Sequence, residues 1–199
     1  MPHYAAWLID LDGTLYRSLP VKVAMGIELC FASRQVRCVI QAFRCEHEAL
    51  RHADLPSDTS PFETQLVRTA ERLCCPIAEV RAIVEDWMFA RPGRWLRRFR
   101  RRGLLAEIAQ FRASGGRTAL VSDYPARVKL AALEATELFD VVVANGETTT
   151  PYRLKPSPQA FVTAADQLGI RHDECLVLGD RLDADGLAAK QAGMAFRYI

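Results

Sequence analysis

A chain of 199 residues, half of them hydrophobic, suits one globular core with room for a modest insertion. A quarter of the residues are charged, yet the two signs nearly cancel at +2, which argues against disorder and against a surface built to coat nucleic acid. No apolar run approaches the about 20 residues needed to cross a bilayer, and Met1 to Trp7 lacks the basic start of a signal peptide, so the expectation is a soluble, cytoplasmic protein with no membrane partner.

Residues 4–9 form a short apolar run that stops at Asp10, which reads as a buried strand feeding a loop. Helical patterns follow, from about Pro20 to Ala90. Val36, Val39, Ile40, Phe43 and Leu50 keep helical spacing. Ser60-Pro61-Phe62-Glu63 is a capping box with proline at the first helical position, opening a helix through Leu66, Ala70 and Leu73. Pro76 opens another, with Ile77, Val80, Val84 and Trp87 facing inward, and Pro92-Gly93 ends it. The predicted organisation is a helical insertion over residues 17–91 within an α/β core of residues 1–16 and 92–199.

The stretch Arg91 to Arg102 carries seven arginines on one side and Trp95, Leu96 and Phe99 on the other. It reads as a solvated amphipathic helix joining the two parts, in preference to an anion-attracting patch. Leu104, Leu105, Ile108 and Phe111 predict a helix stopping near Gly115-Gly116. A strand from Arg117 to Val121 ends at Ser122, which suits a helix N-cap, and Pro125 is expected to start the next helix, through Val128 and Leu133. Asp140 to Ala144 is a third strand. Ser157-Pro158 caps a helix with Phe161, Ala164, Ala165 and Leu168 on one face and Gly169 as its stop. Cys175 to Leu178 is a fourth strand, ending at Gly179-Asp180, and Leu187 to Ala192 is a helix closed by Gly193. Strands alternating with helices predict an α/β fold with a Rossmann-like parallel sheet, whose strand ends share one ligand-binding edge.

The chemistry-bearing residues fall at those strand ends. Asp10-Leu11-Asp12-Gly13-Thr14 follows the first strand. Two carboxylates so close are costly unless a cation or a shared proton relieves them, and Mg²⁺, a hard ion that bridges carboxylates to phosphate, would do so. Ser122 offers a hydroxyl to a phosphate oxygen, and the turn after it offers backbone N–H groups. Lys155, beside a helix start, is a point charge for phosphate or for the carboxylates. Asp180, with Asp183 and Asp185, adds acids on the same edge.

In this order the motifs resemble those of the haloacid dehalogenase superfamily of phosphatases and phosphotransferases. Asp10 to Thr14 is similar to its first motif, Ser122 to the second, Lys155 to the third, and Gly179 to Asp185 to the fourth. The inserted helices resemble its C1-type helical cap. The resemblance implies that Asp10 attacks phosphorus to form an aspartyl-phosphate, and that Asp12 is the general acid and base. It implies that Asp10, the Asp12 backbone carbonyl, Asp180 and Asp185 hold Mg²⁺, with Asp183 as the other candidate in the fourth motif. Ser122, Asp123 and Lys155 would bind the phosphoryl group. Asp123 departs from the asparagine the family often has there, and the stretch Gly146 to Tyr152 before Lys155 is slightly long. Family dehalogenases lack the second aspartate, so Asp12 favours phosphate-ester chemistry.

The implied activity is Mg²⁺-dependent hydrolysis of a small phosphorylated metabolite. The alternatives are a phosphomutase or phosphotransferase with the same intermediate, and a non-catalytic metabolite-binding or scaffold protein. Tyr16 is a candidate substrate contact. Trp87 and Trp95 are expected in the core, and His47 and His52 in solvent. Cys30, Cys38, Cys45, Cys74, Cys75 and Cys175 include no Cys-x-x-Cys pair and are expected to be small buried residues.

Overall fold

The computed structural model describes residues 4–51, 53, 56, 59–148 and 153–199. His52 and Thr149 to Tyr152 therefore lie outside the described residues. Five strands, β1 (Ala6–Asp10), β2 (Arg117–Ser122), β3 (Val141–Ala144), β4 (Cys175–Gly179) and β5 (Ala195–Tyr198), form one parallel sheet in the order β3-β2-β1-β4-β5. The first strand is thus central, with Ile9 beside Leu120 on one side and Leu178 on the other. The chain visits β2 and then β4 on opposite sides of β1, which opens a crevice at the carboxyl ends of these strands.

The alternation of a strand explains the two layers that cover the sheet. Leu8, Ala119, Val121 and Val177 face α8 (Gln159–Leu168) and α9 (Leu187–Gln191), where Phe161, Ala164 and Ala188 are fully buried. Ile9, Leu120 and Leu178 face the other way, against Leu104 and Ile108 of α6 (Arg102–Ala113) and Leu130 and Leu133 of α7 (Arg127–Leu133). Gly169 takes a positive φ of 69° just after α8, as its stop position requires.

Between β1 and β2 lie α1 (Ser18–Cys30), α2 (Arg34–Arg51), α3 (Pro61–Leu73), α4 (Ile77–Val84), a π-helical turn at Glu85–Ala90, α5 (Gly93–Phe99) and α6. Val39, Phe43, Phe62, Leu66, Val80, Val84 and Phe89 close on one another as a separate apolar core. Ser60 accepts the Glu63 N–H at the start of α3, as the capping box predicts. Among the described residues, no helix is long and apolar enough to cross a membrane.

Several expectations need correction. Ser122 is not the N-cap of α7: the helix begins at Arg127, past Pro125, and the Ser122 hydroxyl instead accepts the Tyr124 N–H at 3.2 Å. The arginine stretch is not one helix, because the chain is extended at Arg100, between α5 and α6. Its arginines are largely solvated, as expected, and several make surface ion pairs: Arg91 with Asp86, Arg94 with Glu28, and Arg100 with Glu134. Of the cysteines only Cys175 is buried; Cys30, Cys38, Cys45 and Cys74 are exposed on the helices and turns of the insertion. His47, expected in solvent, is buried and stacked on Tyr124 with ring centroids 4.2 Å apart. Ile77, expected to face inward, is 39% exposed.

Candidate active site

The loop leaving β1 sets the geometry. Gly13 has φ 102°, a conformation that favours glycine, and a Cβ there would lie 1.9 Å from Asp180 Oδ2. The first strand loop can therefore press against the loop after β4 only because residue 13 has no side chain. Gly179 serves the same end, since a Cβ there would meet Asp185 Cγ at 2.5 Å.

Three carboxylates converge at this point. One oxygen each from Asp10, Asp180 and Asp185 lies within 4.8 Å of the others. Lys155 Nζ donates to Asp10 Oδ1 at 2.5 Å and to Asp185 Oδ1 at 2.7 Å, and Thr14 donates to Asp10 Oδ2 at 2.9 Å. Burial pushes the Asp10 carboxyl up, to about 8, against the pull of Lys155 and with help from Asp185. Burial works against charge on Lys155, but Asp10 and Asp185 outweigh it and drive its value up. Asp180 is left over: its Oδ1 is buried with no hydrogen-bond partner among the described residues, and burial, then Asp185, raises its carboxyl. A buried, unpartnered carboxylate oxygen facing two more carboxylates is the donor set a divalent ion such as Mg²⁺ requires, and the residues present fit one.

Asp12 is turned elsewhere. Lys129 Nζ lies 2.7 Å from its Oδ1 and 2.8 Å from its Oδ2, and the Tyr16 hydroxyl donates to Oδ1 at 2.6 Å. Burial alone would raise the Asp12 carboxyl, but Lys129 and Tyr16 bring it below the usual range. Its side chain is therefore outside the acidic cluster, and only its backbone is left to serve a metal. Asp183 is also outside: it is exposed and pairs with Arg181 at 2.5 Å, while Asp185 is buried in the cluster.

Asp123 is met by partners the sequence did not point to. Its carboxylate accepts the Lys155 backbone N–H at 3.1 Å and faces Arg51 at 3.2 Å. Arg51 also donates to the Lys155 carbonyl at 2.9 Å, so α2 is tied to the loops carrying Ser122 and Lys155. The Asp123 carboxylate is thus occupied, leaving its backbone rather than its side chain to face an anion. Lys129, Arg51, His47 and Tyr124 were all missed. None sits in a recognisable motif, and a lysine in the first turn of a short helix looks like a solvated residue until the fold turns it toward Asp12.

A cavity of about 430 Å³ opens above these groups. Asp10, Asp12, Ser122, Lys155 and Asp180 line it together with the apolar Val21, Met25, Trp87, Met88 and Leu96. Tyr16 and Trp87 are thus both at the cavity, whereas Trp95 packs on Phe99 and donates to Glu28.

Fold and site together define a Rossmann-like α/β protein with a buried aspartate–lysine cluster at the sheet's carboxyl edge and a helical layer over it. The chain belongs to the haloacid dehalogenase-like hydrolases, whose family model matches residues 4–193. A 66-residue stretch is 39% identical to the glyceraldehyde 3-phosphate phosphatase of Methanopyrus kandleri, covering 33% of this chain and 27% of that relative's length. The structure superposes on YfnB of Bacillus subtilis, solved bound to magnesium, with a TM-score of 0.68 over 99% of this chain and 89% of the other, at 13% identity. It superposes on the L-2-haloacid dehalogenase of Xanthobacter autotrophicus with a TM-score of 0.66 over 98% and 77%, at 15% identity. Likeness at these identities concerns the fold, and the fold is shared by phosphatase and dehalogenase alike.

Proposed function

We propose that the protein is a Mg²⁺-dependent phosphatase that hydrolyses a small phosphomonoester through an aspartyl-phosphate on Asp10. The observation that carries this reading is the division of labour between two aspartates on one loop. Asp10 faces the acidic cluster and Lys155, while Asp12 faces the cavity with a separate lysine. A dehalogenase has no alcohol to protonate and no need of the second carboxylate. A binding protein needs neither.

Asp10, Asp180 and Asp185, with the Asp12 carbonyl, would hold the Mg²⁺, which when bound supplies Lewis-acid stabilisation of charge on the phosphoryl oxygens. Asp10 attacks phosphorus, forming a bond to its carboxylate oxygen as the ester P–O bond breaks. Asp12, held ionised by Lys129 and Tyr16 before substrate binds, takes up a proton as the anionic ester enters beside it, gives it to the departing alkoxide and regains one from the water that hydrolyses the acyl phosphate, so the cycle closes. Ser122, the Asp123 backbone and Lys155 bind the phosphoryl oxygens. Residues 17–91 act as a cap over this core, excluding water and shaping the leaving-group pocket, and Tyr16 lines that pocket beside Asp12. The similarity to a phosphatase of a small triose phosphate agrees with a small phosphorylated metabolite as substrate.

The test is phosphate release from a panel of phosphomonoesters with and without Mg²⁺. The expected result is Mg²⁺-dependent turnover that Asp10→Asn lowers by about four orders of magnitude or more, with a burst of acid-precipitable phosphoenzyme in the wild type alone. Wild-type protein that turns over no ester and forms no phosphoenzyme would overturn the reading. A stable phosphoenzyme discharged only by a sugar phosphate would favour a phosphomutase.

A further inference from the structure

We propose that Lys129 is the positioning residue of the leaving-group side of the site, fixing the Asp12 carboxylate so that Oδ2 faces the scissile ester oxygen. This deepens the phosphatase reading and rests on it. The geometry distinguishes the two oxygens of Asp12. Oδ1 takes two donors, the Tyr16 hydroxyl at 2.6 Å and Lys129 Nζ at 2.7 Å, whereas among the described residues Oδ2 takes Lys129 alone at 2.8 Å. A carboxylate oxygen offers about two lone-pair directions. Oδ1 is therefore filled and Oδ2 keeps one open, and the open one is where a transferred proton is carried.

The lysine is itself held in place. It is buried, and its Nζ sits 5.6 Å from the centroid of the Phe89 ring and 5.7 Å from that of Tyr124, both within cation–π range. Phe89 belongs to the helical insertion and Tyr124 to the loop after β2. The ammonium thus stands where the insertion meets the sheet, and the aromatic faces leave the Asp12 direction as its hydrogen-bonding one. Without Lys129, one tyrosine hydroxyl would remain to orient a carboxylate that can rotate about its own side-chain bonds, and proton delivery falls off steeply with misplacement.

Leaving-group dependence separates this role from general packing. An aryl phosphate such as p-nitrophenyl phosphate departs as a stabilised phenolate and needs little protonation, whereas glycerol phosphate departs as an alkoxide and needs it. Lys129→Met is expected to lower the ratio of kcat for glycerol phosphate to kcat for p-nitrophenyl phosphate by about tenfold or more. Asp12→Asn is expected to lower the same ratio, and adding Lys129→Met to Asp12→Asn to lower it no further, because the lysine acts through that carboxylate. Lys129→Gln, which keeps a donor, serves for the same ratio if the methionine variant does not fold. Equal losses on both esters, or losses that multiply in the double variant, overturn the proposal while leaving wild-type turnover and the phosphatase reading intact. A wild-type protein inactive on both esters and without phosphoenzyme overturns the phosphatase reading, and this proposal with it.

Discussion

Asp10 and Asp12 stand two residues apart on one loop, and each faces a buried lysine, yet their surroundings push them in opposite directions. Lys155 is divided between Asp10 and Asp185, with Asp180 close by and its Oδ1 without a hydrogen-bond partner among the described residues. Among the described residues Lys129 pairs with Asp12 alone, and the Tyr16 hydroxyl adds a second donor. Burial raises both carboxyls; one ammonium shared with further carboxylates does not offset it and Asp10 stays raised, whereas one ammonium and a phenol on one carboxylate bring Asp12 below the usual range. What differs is therefore not the residue type or the sequence position but the number of acids each cation must serve. The proposed roles need the reverse, Asp10 ionised and Asp12 protonated: a cation among Asp10, Asp180 and Asp185 would lower Asp10, and an anionic substrate beside Asp12 would raise it.

The largest expected effect tests that count directly. Lys155→Met leaves Asp10 and Asp185 buried without their cation, which should cost about 3–5 kcal/mol of stability without metal, as measured by urea denaturation. Lys129→Met strands a single carboxylate that retains Tyr16 and is 31% exposed, so its cost should be smaller. Mg²⁺ should restore part of the loss in Lys155→Met, because the ion bound to the same carboxylates stabilises the folded state by mass action, and should do little for Lys129→Met. Equal costs, or a reversed order, would break the comparison.

A second prediction has the opposite sign. Asp180 carries a buried oxygen without a partner beside Asp185, so the folded protein holds it at a cost when no cation is near. Its folded value is raised, so the stability penalty is present at neutral pH and fades as pH falls toward that value, where the carboxyl protonates. Asp180→Asn is thus expected to raise the metal-free melting temperature, with a gain of up to about 1 kcal/mol at pH 7. The same variant should lose most Mg²⁺ binding by isothermal titration. A destabilised variant that still binds Mg²⁺ would mean the acidic cluster is structural.

How far the sequence carried the reading follows from the same logic. The three inner strands β1, β2 and β4 were legible because burial on both faces demands apolar runs that stop abruptly at Asp10, Ser122 and Gly179, and the edge strand β3 because of its run of three valines. The fifth strand was missed because Ala195 to Tyr198 is only partly buried along its length and carries Arg197 within it, so no apolar run marks it. Helix α1 was missed for another reason. Val21 and Met25 face inward while Leu19, Val23 and Ile27 face solvent, so it is apolar on both sides and shows no stripe. At the site, Asp10, Ser122 and Asp180 were visible because each ends or follows a strand, and Lys155 because it stands beside a helix start. Lys129, Arg51 and Tyr124 were not, because they act on a partner reached only through the fold: Arg51 meets Asp123 from a helix 72 positions earlier in the chain. The aspartate at 123 is a departure whose counterpart lies in the insertion, where the sequence carried no motif.

The smallest predicted effect supplies a control far from the chemistry. Asp140, just before β3, accepts the Thr118 N–H at 2.9 Å and pairs with Arg112 at 2.8 Å and Arg117 at 3.3 Å. Burial alone would raise its carboxyl, but these donors bring it below 3.8, as Lys129 and Tyr16 do for Asp12. A depressed folded value means that its contribution is complete at neutral pH and is lost as pH falls through about 4 and below. Asp140→Asn should therefore cost about 1 kcal/mol at pH 7, from the lost charge-assisted bonds of a partly exposed group. The stability difference from wild type should shrink steadily as pH falls below about 4, read from urea midpoints across the pH series. Since Asp140 touches neither the cavity nor the acidic cluster, Mg²⁺ should shift wild type and variant by the same amount. A Mg²⁺-dependent difference would mean that the binding edge of the sheet and its opposite end are coupled, and that counting cations at the site alone is too local an account.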